Sequence, residues 1–127
     1  MATIGSFRDL DTHRAARTAA RDLFQTTRRF SKEERYSLTD QIRRSSRAVG
    51  ALIAEAWARR TYPTAFTEKL TQAMAECNET QSWLDSSLDC DYIDEELHLR
   101  HDREWQRIGG KLQRMIDRAD TFCRPRT

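Results

Sequence analysis

Few residues in this chain have the types and spacing that chemistry demands. Glu95-Glu96-Leu97-His98 contains Glu-x-x-His, which sets two potential metal ligands on one helical face. A di-iron centre needs a second copy of that motif on another helix and two further carboxylates. No second copy exists, and Glu55 and Glu79 leave the set incomplete. Glu95 therefore reads as a first-turn acid favoured by the helix dipole. His98-x-x-His101 has no partner at zinc spacing, because Cys90 stands too far away, so both histidines are expected at the surface or its boundary. Cys77 falls on an apolar seam and reads as a small core residue. GxSxG, HExxH and a glycine-rich phosphate loop are all missing. The expectation is a protein without catalytic residues, metal or cofactor.

The arginines are more suggestive. Arg14, Arg17, Arg21 and Arg28 form one stripe, and Arg43 and Arg47 form an outward pair further on. Arg59-Arg60 follow, and a last stripe comprises Arg100, Arg103, Arg107, Lys111, Arg114 and Arg118. Guanidinium offers a rigid donor fork suited to phosphate and keeps its charge near neutrality. Such stripes suit salt-dependent, sequence-tolerant binding to RNA or DNA, with Arg14, Arg17, Arg21, Arg28, Arg43, Arg47, Arg59 and Arg60 as the candidate contacts. The competing fate is pairing with acids elsewhere in the chain. Aromatic residues do not alternate with these arginines as a single-strand stacking platform would require.

Helices must position these side chains. The first is expected over about 9–29, with His13, Ala16, Ala20, Leu23, Phe24 and Thr27 facing inward. Ser31-Lys32-Glu33-Glu34 has capping-box spacing, so the second is expected over 32–60. Along it Leu38, Ile42, Ser45, Val49, Leu52 and Ala56 step in a heptad rhythm. Pro63 ends one helix and opens the next, expected over 63–88 with Phe66, Leu70, Ala73, Cys77, Thr80 and Leu84 as its seam. The fourth, over 92–121, has Asp91 as its expected cap and Pro125 as its terminator. Its inner face is Ile93, Leu97, Ile108, Leu112, Met115 and Ala119, and Gly109-Gly110 is a candidate kink. Four long helices with short links imply an all-α, antiparallel up-and-down four-helix bundle occupying residues 1–127 as one domain.

Helix 2 carries a second unusual face. Opposite its seam stand Ala48, Gly50, Ala51, Ala54 and Ala58 where charged residues are normal. Small residues admit a neighbouring helix, so this strip is the expected contact between copies of the chain. Arg44 and Glu55 flank it and would set register between subunits.

Composition narrows the class further. Charged residues are 33% and hydrophobic ones 38%, too charged for a membrane protein and too apolar for a disordered one. Residues 1–61 hold 13 basic and 7 acidic side chains, a net +6, against 9 and 13, a net −4, over 62–127. Halves of opposite sign suit packing on each other or on a partner. Three unmatched cysteines and a start (Met1-Ala2-Thr3-Ile4-Gly5) without basic and apolar leader regions point to a reducing, cytoplasmic setting.

A family resemblance emerges from particular blocks. Phe24-Gln25-Thr26-Thr27-Arg28-Arg29-Phe30 and the run from Glu34-Arg35-Tyr36 through Gln41-Ile42-Arg43-Arg44-Ser45-Ser46 resemble the proteins encoded by 23S ribosomal RNA intervening sequences. Ile53-Ala54-Glu55, Phe66, Leu70, Ala73 and Glu79-Thr80 extend the likeness across about residues 7–95. The resemblance implies a left-handed up-and-down bundle assembled as a homopentameric ring. Its relatives include accessory proteins of diversity-generating retroelements, which partner a reverse transcriptase and bind nucleic acid through a basic surface. Two positions depart from the pattern. Leu52 and Ala56 replace the family's frequent Asn and Gly around Ile-Ala-Glu, and Ser31 stands where Pro is common.

Overall fold

The computed structural model describes residues 4–123, so Pro125 and the start at Met1–Thr3 lie outside the described residues. Four long helices carry the fold: α1 (Asp11–Thr27), α2 (Leu38–Ala58), α3 (Pro63–Asp89) and α4 (Glu95–Asp117). A one-turn α5 (Ala119–Phe122) follows, and short 3-10 turns occupy Phe7–Asp9 and Lys32–Glu34. Consecutive helices pack side by side and α1 closes against α4, while the diagonal pairs do not meet. Short connections make neighbours antiparallel, which is the up-and-down bundle.

The interior is apolar and dense. Leu23, Ile42, Val49, Ile53, Phe66, Leu70, Leu84, Trp105, Ile108 and Leu112 are withdrawn from water. Each such side chain contributes roughly 1.5–3 kcal/mol by burial, so the core outweighs any single cap or ion pair. The α3 seam lies inside at all six expected positions. On α2, Ile53 takes the fully buried place and Leu52 sits half-buried beside the core. On α1, Thr12 and Ala19 turn inward with Ala16, Leu23 and Thr27, whereas His13, Ala20 and Phe24 are only half-buried. That rotation opens the α1–α2 edge.

Helix starts depart from the expected bounds for reasons of capping. Ser31 accepts from the Glu33 amide and caps only the 3-10 turn. Glu34 prepares α2 instead, its carboxylate accepting from Ser37 Oγ at 2.6 Å, Leu38 N at 3.4 Å and Tyr92 OH at 3.0 Å. Helix 4 is capped by Asp94, which accepts from Leu97 N at 2.8 Å. Asp91 adopts φ 60°, a left-handed turn that Asp tolerates better than most residues. The α-helix runs unbroken through Gly109-Gly110 and stops at Asp117, leaving Ala119 on α5. His101 and Trp105 join the α4 inner face, so His101 is a core histidine and not a boundary one.

Candidate nucleic-acid interface

On α1 the spacing of Arg17, Arg21 and Phe24 places two guanidiniums along the edge that faces α2. On α2, Arg43 and Arg47 are one turn apart and reach the same edge. Arg43 carries the geometry: its Nε donates to Thr27 Oγ1 at 2.9 Å and its Nη2 to the Phe24 carbonyl at 3.5 Å. Its guanidinium lies 4.5 Å from the centre of the Phe24 ring, with Arg47 at 5.6 Å and Arg28 at 5.9 Å. Three cations therefore lie within about 6 Å of one ring centre, an arrangement favoured by the ring quadrupole. Partial burial, then Arg47 and Arg28, hold the Arg43 pKa below its ordinary value. Among the described residues none of Arg17, Arg21, Arg28, Arg43 and Arg47 sits in an ion pair with a carboxylate.

Two hollows flank this cluster. One, of about 440 Å³, runs between α1 and α2 over Ala16, Ala20, Gly50 and Ala51, with Arg17, Arg21 and Arg47 along it. The other, of about 470 Å³, gathers Arg35, Arg43, Arg44 and Arg47 with Asp40 as its one acid. Next to Arg35, Tyr36 stands 87% exposed.

Other expected contacts lie apart. Arg14 is exposed but outside both hollows, and together with Lys111 its charge holds the Asp11 carboxyl below the usual range, Lys111 acting chiefly by hydrogen bond. Arg59 and Arg60 follow the far end of α2, about 24 Å along the helix from Arg43 at ~1.5 Å per residue. There Arg60 covers the Trp57 ring at 4.0 Å and donates to the Trp57 carbonyl. Along the expected subunit strip, Ala51 and Ala58 are exposed while Ala48 and Ala54 are half-buried. Arg44 lies 3.6 Å from Glu79, and Glu55 lies 3.6 Å from Lys69, so both flanking charges have partners on α3 of the same chain.

The remaining chemical candidates are occupied. His98 Nε2 meets Asp85 Oδ1 at 2.8 Å and His101 Nε2 meets Thr26 Oγ1 at 2.8 Å, so the two histidines face different partners. Among the described residues no three metal-ligating side chains converge. Cys77 donates to the Trp105 carbonyl at 3.0 Å, and burial pushes its thiol up to about 12. No helix of the described residues is long and apolar enough to cross a membrane. The groove residues His13 and Phe24 were expected in the core. The available signal was their position at the margin of the apolar stripe, directly beside Arg17 and Arg21.

An all-helical bundle with an arginine-edged α1–α2 face is the class that fold and site define together. The sequence model of the 23S rRNA-intervening sequence proteins matches residues 8–114, and the chain belongs to that family. Among solved structures it is similar to a protein of unknown function from the S23 ribosomal protein family of Bacteroides thetaiotaomicron. The identity is 25% and the TM-score 0.76, with 84% of this chain and 95% of that one covered. Comparison with curated proteins found no match.

Proposed function

We propose that this chain is a non-enzymatic accessory protein that assembles with copies of itself, as a pentamer, and binds nucleic acid or a ribonucleoprotein partner such as a reverse transcriptase. The observation that carries the reading is the convergence of Arg28, Arg43 and Arg47 on Phe24 without a carboxylate partner among the described residues. Cations held this close repel one another, and an anionic ligand relieves that repulsion. Phosphodiester backbones supply such anions in a row. The family resemblance supports the same partner class, and repetition around a ring would multiply the contacts.

Titrating labelled RNA with the protein at increasing salt tests this. If about five phosphates are engaged, log affinity falls against log salt with a slope near −3.5 for single strands, and Arg47→Gln or Arg21→Gln each lowers the slope by about 0.7. No binding at about 50 mM salt, where electrostatic contacts are strongest, sinks the reading. The rival is a protein scaffold without nucleic acid. It is favoured by the exposed Ala51 and Ala58 on α2, and by a partner polypeptide that survives nuclease treatment.

A further inference from the structure

The geometry points to a base-receiving site: we propose that the α1–α2 groove seats an unstacked nucleobase, so that the nucleic acid it takes is single-stranded. This rests on the nucleic-acid reading above and sharpens it. A surface that only grips phosphates needs no concavity, since arginines on a convex helix would serve. Here the arginines edge a groove of about 440 Å³, within the range of small-ligand sites. Its floor is made of residues too small to fill it: Ala16 and Ala20 from α1, Gly50 and Ala51 from α2.

Packing does not demand that emptiness. A Cβ on Gly50 would lie 3.8 Å from the His13 ring, ordinary van der Waals contact, and alanine is the better helix former. The hollow is thus left open where closing it would be easy. Its two ends are rings. Phe24 stands at one end, and His13 at the other, where Phe7 meets it edge-on at 4.8 Å and 77°. Between them the floor is apolar, as the face of a base requires. Besides the guanidiniums of Arg17, Arg21 and Arg47, polar atoms are few: the His13 ring nitrogens, and Ser46 Oγ, which is buried and donates to the Arg43 carbonyl. Arg17, Arg21 and Arg47 are placed where the flanking phosphates would run. In a duplex the bases stay stacked, and only unpairing would bring one to this floor.

Three probes of about 12 nucleotides, within known single-strand site sizes, separate the possibilities by fluorescence anisotropy at equal ionic strength. They are single-stranded oligouridylate, an abasic strand of the same length, and a blunt RNA duplex. The expected result is that oligouridylate binds about 10-fold more tightly than either of the others, the scale of withdrawing roughly 55 Å² of apolar base face from water. Ala20→Leu, which fills the floor, removes that advantage and leaves the salt slope unchanged. Gly50→Ala narrows the groove with an ordinary contact and carries the test if Ala20→Leu fails to fold. Circular dichroism reports folding for both. Equal binding of all three probes, or a folded Gly50→Ala and Ala20→Leu with undiminished preference, overturns the base site while nucleic-acid binding stands. Failure of every probe to bind removes both readings. A changed mass by light scattering with single-strand binding intact also overturns the proposal, assigning the groove to a subunit contact.

Discussion

His101 is 3% exposed and holds its only described side-chain partner, Thr26, at 2.8 Å. Burial, then the charge of Arg100, lowers its pKa from 6.5, with Asp22 and Glu104 opposing. The unfolded chain therefore takes up this proton at a higher pH than the folded one. Stability is full above about 6.5 and falls as pH drops from there toward the lowered value, by at most ~1.4 kcal/mol per pH unit. His13 titrates with the same sign, through burial, Arg17 and Arg8. Glu76, raised by burial and then by Glu79, works in the opposite sense above 4.5. His101→Gln should keep a polar partner for Thr26 and reduce the loss of stability between pH 7 and pH 5, as measured by urea unfolding at each pH. A slope equal to that of the parent protein would contradict the assignment. The spacing from Leu97 through His101 to Trp105 and Ile108 carried the signal for this residue, but its polar type and its neighbour His98 read as a boundary site until Thr26 from another helix is seen to meet it.

At the scale of elements, α4 shows where local rules suffice and where they stop. Two adjacent glycines suggest a bend, yet the helix passes through them. A Cβ at Gly109 would lie 3.9 Å from Cys77 Sγ, and one at Gly110 3.9 Å from Arg114 Nη1. Both positions have room for alanine. Gly109→Ala and Gly110→Ala are each expected to stabilise the protein by about 0.5–1 kcal/mol in chemical denaturation. A loss at Gly109 would mean that α3 and α4 need the missing methyl to approach. The α3 seam was legible because its six positions depend only on heptad rhythm and apolar type. The start of α2 was not, because Glu34 draws one of its donors from Tyr92, far along the chain. Similarly, Asp94 outcompetes Asp91 as cap once Ile93 is drawn into the core between them.

For the whole molecule, the bundle was readable from four periodic segments, whereas the groove was not. Periodicity says which residues are apolar, not whether two neighbouring helices close over them. The Ala20 and Phe24 side chains looked like core for that reason. The question of assembly centres on Ala58, exposed on α2 and outside the groove. Ala58→Arg should leave helix content and thermal unfolding intact and reduce the mass seen by light scattering to that of one chain. An unchanged mass would remove the small-residue strip as the subunit contact. If copies pair through the oppositely charged halves, the proposed assembly weakens as salt rises, because exposed charges are screened over about 10 Å at 0.1 M salt.

Trp105 is wholly buried, and its indole N–H meets no hydrogen-bond acceptor among the described residues. Trp57 and Trp83 are only half-buried, although the Trp83 indole N–H is also shielded and meets no acceptor among the described residues. Trp105 is therefore expected to emit at the shortest wavelength of the three tryptophans, from a dry interior. Trp105 forms no part of the groove wall, so its colour records whether the bundle is intact and stays silent about what the groove holds. The molecule thus carries its own optical gauge of folding, separate from occupancy.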